Sequence, residues 1–502
     1  LSNAAFADTL LAAVLNRIEV WQGNKMTFTQ LLALTAQGGV RVCADSRQVQ
    51  PGDCFVAVRG TQSDGHDYIP TALAQGAAYV VAEQPFDDDR CIVVANSAEA
   101  LGQLAQAACG YPNGELTNLA VTGTNGKTTT SYLVRSVIES AGHPCGLIGT
   151  IAYSTGRQTA AAPLTTPDAL TLARMARQML DSGTRYMMIE ASSHALSQHR
   201  LAGITFTAAA FTNLTGDHLD YHGTEENYLA AKALLFEQLP PHGMAILNAQ
   251  SDAARRLAAT IKRRTLWYAI EEQADLIAHI HSMDARGSEF SIQFNNYMER
   301  VRTPLCGRHN ISNHLAAAGL CLAAGLSLSA IAQGLSLLEC VPGRLEPVDS
   351  PAALRRGIGV LVDYAHTDDA LKNVLSTVRP LCAGRLILVF GCGGDRDKTK
   401  RPRMAQTAEA MADVVIVTSD NPRTEDPEAI IHDIYAGFSP DKRAAVQIVP
   451  DRRRAIFGAV TQAKRGDIIV LAGKGHETYQ VIGTQKIDFS DVQVAREAME
   501  LL

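Results

Sequence analysis

The 502-residue chain carries ten cysteines but no C-x-x-C pair, so neither a zinc ribbon nor a disulfide framework has a signature to rest on. Reduced thiols in a cytoplasmic protein are expected instead. Basic charge is also short: 45 Lys and Arg against 51 Asp and Glu leave a formal charge of −6, where a general nucleic-acid binder needs a basic surface to displace counterions. No apolar run reaches the length of a membrane-spanning helix, and the apolar stretch around 316–332 is broken by Gly and Ser. The sequence does not open on a basic segment followed by an apolar one, so no secretory signal is expected; Ser2-Asn3-Ala4 resembles the remnant of an expression tag. Short-period repeats are absent as well.

What is present is the balance of a globular protein, 46% hydrophobic and 19% charged. At roughly 150 residues per domain the length calls for about three domains. An acidic protein with anionic ligands must gather positive charge locally, from Lys, Arg, helix N-termini and metal ions.

The pattern predicts three α/β regions. Residues 1–115 hold short β-type runs at 54–58, 79–82 and 91–94 and an Ala-rich helix over 97–109, closed by Pro112-Asn113-Gly114. In 116–347 strands alternate with helices. Thr166-Pro167-Asp168 predicts a helix start with Thr166 as N-cap, Gly183 its end, and 185–189 a buried strand. In 348–502 apolar runs at 360–362, 386–390, 414–417 and 468–471 alternate with helical patterns, which implies a parallel sheet covered on both faces.

The strongest motif is Gly123-Thr124-Asn125-Gly126-Lys127-Thr128-Thr129, set between a β-type run at 119–121 and a helical pattern. That setting suits a phosphate cradle. Glycines let backbone N–H groups approach phosphate, the helix N-terminus favours negative charge, Lys127 reaches the β- and γ-phosphates of ATP, and Thr128 ligates Mg²⁺. Val121 stands where the general P-loop has its first glycine. Glu190 ends the 185–189 run, where open α/β sheets place ligand groups. It is either a second metal-holding oxygen or an ordinary strand-end carboxylate. The oxygen- and imidazole-rich stretch 213–222 lacks zinc-site spacing and suits Mg²⁺ better. Lys232 shares a helical face with Tyr228, Leu235 and Phe236. Such a lysine either snorkels to solvent or is a desolvated, neutral amine able to capture CO₂ as a carbamate.

The shortened loop G-T-N-G-K-T-T resembles that of the Mur ligases and their folylpolyglutamate synthetase relatives, and the resemblance runs from Asp45 to Glu477. It implies an ATP-dependent acid–amino-acid ligase of three domains: a UDP-substrate-binding α/β domain, a central P-loop ATPase-like domain and a Rossmann-like C-terminal domain. It also implies residue roles. Lys127, Lys232, His218 and Glu190 would be catalytic, His218 a ligand of a second Mg²⁺, and Lys232 a carboxylated lysine that ligates metal. Asn313, the likelier base contact of its motif, and Arg344 and Asp363 at the domain junction would hold the nucleotide. Ser46, Thr61, Gln62, Ser63, Thr165, Thr166, Ser192, Gln198 and Arg200 would hold a UDP-muramoyl peptide ending in D-glutamate. Leu164 stands where relatives often have Asn, which puts one polar contact in doubt.

Gly391-Cys392-Gly393-Gly394-Asp395-Arg396, Asp420-Asn421-Pro422-Arg423 and Gly473-Lys474-Gly475-His476-Glu477 each follow a strand run and should converge on one crevice. G-x-G-x-x-G is absent, which removes a dinucleotide site. The D-N-P-R form resembles the diaminopimelate-adding members of the family, with Arg396, Asp420, Asn421, Pro422, Arg423, Gly473 and Glu477 as contacts to the amino acid. A structural salt bridge is the other reading of Arg423. The rivals are an L-lysine-adding member, folylpolyglutamate synthetase, which lacks the UDP-type first domain, a P-loop kinase or motor ATPase, and a nucleotide-binding switch without turnover. A cytoplasmic monomer without nucleic-acid or membrane partners is expected.

Overall fold

The computed structural model describes residues 26–60, 63–284 and 287–501. Ser2-Asn3-Ala4, Thr61 and Gln62 lie outside the described residues. Among the described residues, the chain forms three main α/β sheets, and no helix is long and apolar enough to cross a membrane.

The first sheet is parallel, in the order Val42–Cys43, Cys54–Val56, Tyr79–Ala82, Cys91–Val93. Its strands are buried on both faces, which is why they read as continuous apolar runs rather than alternating ones. Cys54 and Val56 face a cluster with Leu31 and Leu104, while Phe55 and Ala57 face one with Ile69 and Ala72. The first of these clusters also takes in Ala169 and Ala173 from the next region, which docks the first unit on the second.

The central sheet has eleven strands. Thr117–Thr122 lies between Tyr186–Glu190 and Ala208–Phe211, all parallel, so three strand ends open side by side. Helices Lys127–Ser140, Arg308–Ala323 and Leu328–Leu337 cover one face, and Ala169–Asp181 and Glu225–Glu237 the other. The helix expected after Thr166 starts later. Asp168 is its N-cap, accepting from Thr171 N, because the Thr166 hydroxyl is committed to the Glu190 carbonyl at 2.6 Å.

In the third unit the strand order is Glu346–Pro347, Gly359–Asp363, Ile468–Ala472, Leu386–Phe390, Val414–Val417, Gln447–Ile448, parallel except for the first. Helices pack on both faces. A hairpin, Tyr479–Ile482 with Gln485–Asp488, stands apart from the sheet and pairs with Arg423.

Candidate active site

The phosphate loop is shaped by close approach. Gly123 (φ 148°) and Gly126 (φ 87°) take left-handed backbone, and a methyl group on them would overlap Thr212 Oγ1 and Asn313 Oδ1 respectively. The neighbouring strand end braces the loop. Thr124 N donates to Asn213 O (3.0 Å), Asn125 N to Asn213 Oδ1 (2.9 Å), and Thr212 Oγ1 to Asn125 O (2.6 Å). Those two loop N–H groups are therefore spent on the protein, and the first turn of helix Lys127–Ser140 is left to meet a phosphate. Lys127 Nζ arches back to donate to Gly123 O (2.7 Å) and Thr124 O (2.9 Å). Burial lowers its pKa, and the charges of Glu190 and Asp217 oppose that shift.

Glu190 is fully buried at the end of its strand. Its carboxylate accepts from Thr128 Oγ1 (2.9 Å), Thr150 Oγ1 (2.9 Å), Thr150 N (3.1 Å) and Ser131 Oγ (3.3 Å). Arg344, in the segment leading into the third unit, donates to Thr128 Oγ1 at 3.3 Å, its guanidinium stacked 4.7 Å from the Tyr364 ring centre. Asp363 is buried beside it, accepting from Leu345 N and Ala365 N, both at 2.7 Å; burial pushes its carboxyl up.

Lys232 is 1% exposed on helix Glu225–Glu237, and Tyr228, Leu235 and Phe236 on the same face are buried with it. The Lys232 ammonium sits 4.2 Å from the Tyr228 ring centre, and no ion-pair partner holds it among the described residues. Desolvation, with the nearby Lys127 charge, drives its pKa well below the ordinary range, against the pull of Asp217. The His218 backbone is left-handed (φ 55°), its ring Nε2 3.5 Å from Asp217 Oδ2, and desolvation by the cleft walls pushes the imidazole well down, so it is neutral at pH 7.

One cleft of about 590 Å³ gathers Thr124–Thr129, His218, Lys232, Asn313, Arg344 and Asp363 with Thr165 and Ser192. Asn313 lies at the phosphate-loop end, against Gly126, and donates to Asn310 Oδ1. No group of three His, Cys, Asp or Glu side chains is set to hold a metal by itself among the described residues. The donors present are the Thr128 hydroxyl, the Glu190 carboxylate and a neutral His218. They fit Mg²⁺ that completes its shell from nucleotide phosphates.

The peptide-side residues form a chain of contacts. Thr165 Oγ1 meets Thr150 Oγ1 (3.2 Å), and Ser192 N donates to Thr166 Oγ1 (3.1 Å). Arg200 donates to Thr166 O (2.9 Å) and Gln198 Oε1 (2.7 Å). Leu164 is exposed beside them. Ser46, on a 3₁₀ turn capped by Asp45, and the exposed Ser63 lie in the first unit, away from this cleft.

In the third unit the strand ends do converge. Asn421 Nδ2 donates to Glu477 Oε2 (2.8 Å), Arg423 Nη1 to Gly394 O (2.7 Å), and the Asp420 carboxylate faces Gly473. Pro422 is buried, whereas Arg396 is exposed and donates only to the neighbouring Asp395 O. Two residues of the site, Thr150 and Asp369, were missed from sequence. Thr150 follows the strand beside Glu190 and was findable from that place; Asp369, which accepts from Asn125 Nδ2 at 2.9 Å, had no signal beyond a helix-start carboxylate.

Comparison with known proteins agrees with this geometry. Three family models match: "Mur ligase family, catalytic domain" over 41–109, "Mur ligase middle domain" over 121–321, and "Mur ligase, glutamate ligase domain" over 343–475. The chain is 44% identical over 463 residues to a UDP-N-acetylmuramoyl-L-alanyl-D-glutamate–2,6-diaminopimelate ligase of Geobacillus thermodenitrificans, covering 91% of this chain and 94% of that one. It is 45% identical over 460 residues to the protein of the same name from Gloeobacter violaceus, covering 91% and 92%. A solved structure of that name superposes with a TM-score of 0.66 at 35% identity, covering 92% of this chain and 94% of that one. With all three units matched in order and the phosphate loop, buried lysine and strand-end crevice in place, the chain belongs to the Mur ligase family of ATP-dependent, amide-bond-forming enzymes.

Proposed function

We propose that this enzyme joins meso-2,6-diaminopimelate to the D-glutamate of UDP-N-acetylmuramoyl-L-alanyl-D-glutamate, cleaving ATP to ADP and phosphate in the cytoplasm as a step of peptidoglycan precursor synthesis. The observation that carries this is the crevice of Asp420, Asn421, Arg423 and Glu477 in a chain so similar to relatives named for that reaction. Residues 1–115 are assigned to the UDP substrate, 116–347 to ATP and 348–502 to the amino acid, in a monomer.

An oxygen of the D-glutamate carboxylate attacks the γ-phosphorus, and the bridging oxygen leaves with ADP. The amine nitrogen of diaminopimelate then attacks the acyl carbon of the acyl phosphate. The tetrahedral adduct expels phosphate with the C–O electron pair, and the nitrogen loses its proton. The work is charge neutralisation and positioning. Lys127, tethered to its loop, and Arg344, which donates to Thr128 Oγ1, would bring positive charge to the phosphates. Thr165, Thr166, Ser192, Gln198 and Arg200 orient the peptide; Ser46, Thr61, Gln62 and Ser63 serve its UDP end. Gly123–Thr129, Asn313 and Asp363 line the nucleotide. Thr128, Glu190, His218 and Lys232 would hold Mg²⁺, which supplies positive charge to the phosphate oxygens. Lys232 takes that role as a carbamate: its neutral amine attacks CO₂ and releases a proton, which converts a buried base into an anionic oxygen ligand.

Arg423, Arg396, Asp420, Asn421, Pro422, Gly473 and Glu477 form the amino-acid site. An L-lysine-adding enzyme needs no cation for a distal carboxylate. Phosphate release measured with UDP-muramoyl-dipeptide and each amino acid in turn is expected to show a strong preference for meso-diaminopimelate. Equal kcat/KM for L-lysine would refute the assignment.

A further inference from the structure

Lys474 is among the largest fully buried side chains of the protein, with 0% of it exposed, and no role above uses it. It follows strand Ile468–Ala472 by two residues. Its Nζ donates to Asn421 Oδ1 and to Glu477 Oε2, each at 3.1 Å, and lies 3.6 Å from Asp420 Oδ1. One ammonium therefore ties together three side chains from two strand ends. Asn421 completes the arrangement, donating to Glu477 Oε2 at 2.8 Å and accepting from Val481 N at 3.0 Å.

The charges are unequal in a useful way. Asp420 and Glu477 bring two negative charges to one crevice, and Lys474 cancels one. The other cation beside them, Arg452, is fully buried and occupied by Asp491. Arg423 donates to Gly394 O and makes no ion pair with either carboxylate among the described residues. Asp420 Oδ1 is buried and accepts no hydrogen bond, and its 3.6 Å separation from Lys474 is attraction without a bond. Left over are one negative charge with a free acceptor and one positive charge, the complement of a centre bearing both an ammonium and a carboxylate.

We propose that Lys474 is the positioning residue of the amino-acid site, fixing Asn421, Glu477 and Asp420 and leaving a single net negative charge to receive the distal ammonium of a diamino acid. The inference rests on the assignment of that crevice to diaminopimelate. Removing Lys474 leaves two carboxylates uncompensated. They repel each other and the distal carboxylate of diaminopimelate, a group that L-lysine lacks, so selectivity falls along with affinity.

Lys474→Met is expected to raise KM for diaminopimelate by about thirtyfold or more, while kcat at saturation and KM for ATP and the UDP-dipeptide stay within about threefold. The kcat/KM ratio of diaminopimelate to L-lysine should fall about tenfold. A general structural role would instead move all three KM values together and leave that ratio unchanged, and either result overturns the proposal. Lys474→Met with Glu477→Gln returns the crevice to a single negative charge, that of Asp420, and covers the case in which the single variant does not fold. Its rise in KM should fall well short of the product of the two single-variant effects, because the second substitution relieves the repulsion that the first creates; a fully multiplicative rise would overturn the proposal. An unmodified enzyme with no preference for diaminopimelate would fail the underlying assignment, whereas a selective enzyme whose Lys474→Met variant is equally selective would fail this inference alone.

Discussion

Lys127 and Lys232 line the same cleft, yet their surroundings give them opposite chemistry. Lys127 has two carbonyls as acceptors, and the charges of Glu190 and Asp217 oppose the lowering of its pKa by burial. Lys232 has an aromatic ring and a hydrophobic helix face, and the Lys127 charge itself helps to depress it. A free ammonium there would be costly to bury, whereas a neutral amine is available to CO₂. Lys232→Ala is therefore expected to be nearly inactive in phosphate release. A small carboxylate in solution should restore part of the rate by supplying the oxygen ligand lost with the carbamate. Carbon-13 NMR of the unmodified enzyme in labelled bicarbonate should show a carbamate signal that the variant lacks. A plain ammonium at Lys232 under CO₂-replete, near-neutral conditions would end this reading.

The hairpin formed by Tyr479–Ile482 and Gln485–Asp488 is what places Arg423, and it shows how an element outside the sheet sets a site within it. Arg423 N donates to Val481 O (3.1 Å), Gly483 N donates to Arg423 O (2.7 Å), and the Arg423 backbone is held left-handed at φ 52°. A non-glycine residue takes that conformation at a cost, which the two hairpin bonds offset. Arg423→Ala keeps the backbone clamp and removes the guanidinium. KM for diaminopimelate should then rise by a factor corresponding to about 2–5 kcal/mol, with most of kcat recovered at saturation. An unchanged KM would leave Arg423 as a structural residue only.

The sequence made the strand before Arg423 legible, since 414–417 is a buried β-branched run, and likewise the phosphate loop, whose glycines announce close approach. The Arg423–Ile482 pairing was not legible, because it joins residues far apart in sequence through backbone groups that every residue carries. The N-cap of helix Ala169–Asp181 went to Asp168 for a similar reason: a distant carbonyl, Glu190 O, claimed the Thr166 hydroxyl. Arg396 is exposed and donates only to Asp395 O, so its role as a contact to the amino acid rests on the resemblance of its motif.

At the scale of the whole molecule, the nucleotide cleft is a joint between the second and third units. The phosphate loop belongs to one, Asp363 and Asp369 to the other and Arg344 to the segment that joins them, with Asn125 Nδ2 donating to Asp369 Oδ2 (2.9 Å) and Arg344 to Thr128 (3.3 Å). The first sheet contributes no residue to the cleft among those described, although its helix Ser97–Ala108 packs on the second unit. A ligand that binds the folded joint stabilises whatever must be in place to form it, by about 2.7 kcal/mol at a hundredfold excess over Kd. Hydrogen exchange with a non-hydrolysable ATP analogue should therefore show protection over 123–129 and over 363–374 together, with little change over 42–56. In Asp369→Ala the protection over 363–374 should shrink while that over 123–129 persists, because the loop keeps its own bracing from Thr212 and Asn213. Protection confined to 123–129 in the unmodified protein would mean that the nucleotide is held by the second unit alone. The contacts of Asp369 and Arg344 would then play no part in binding it.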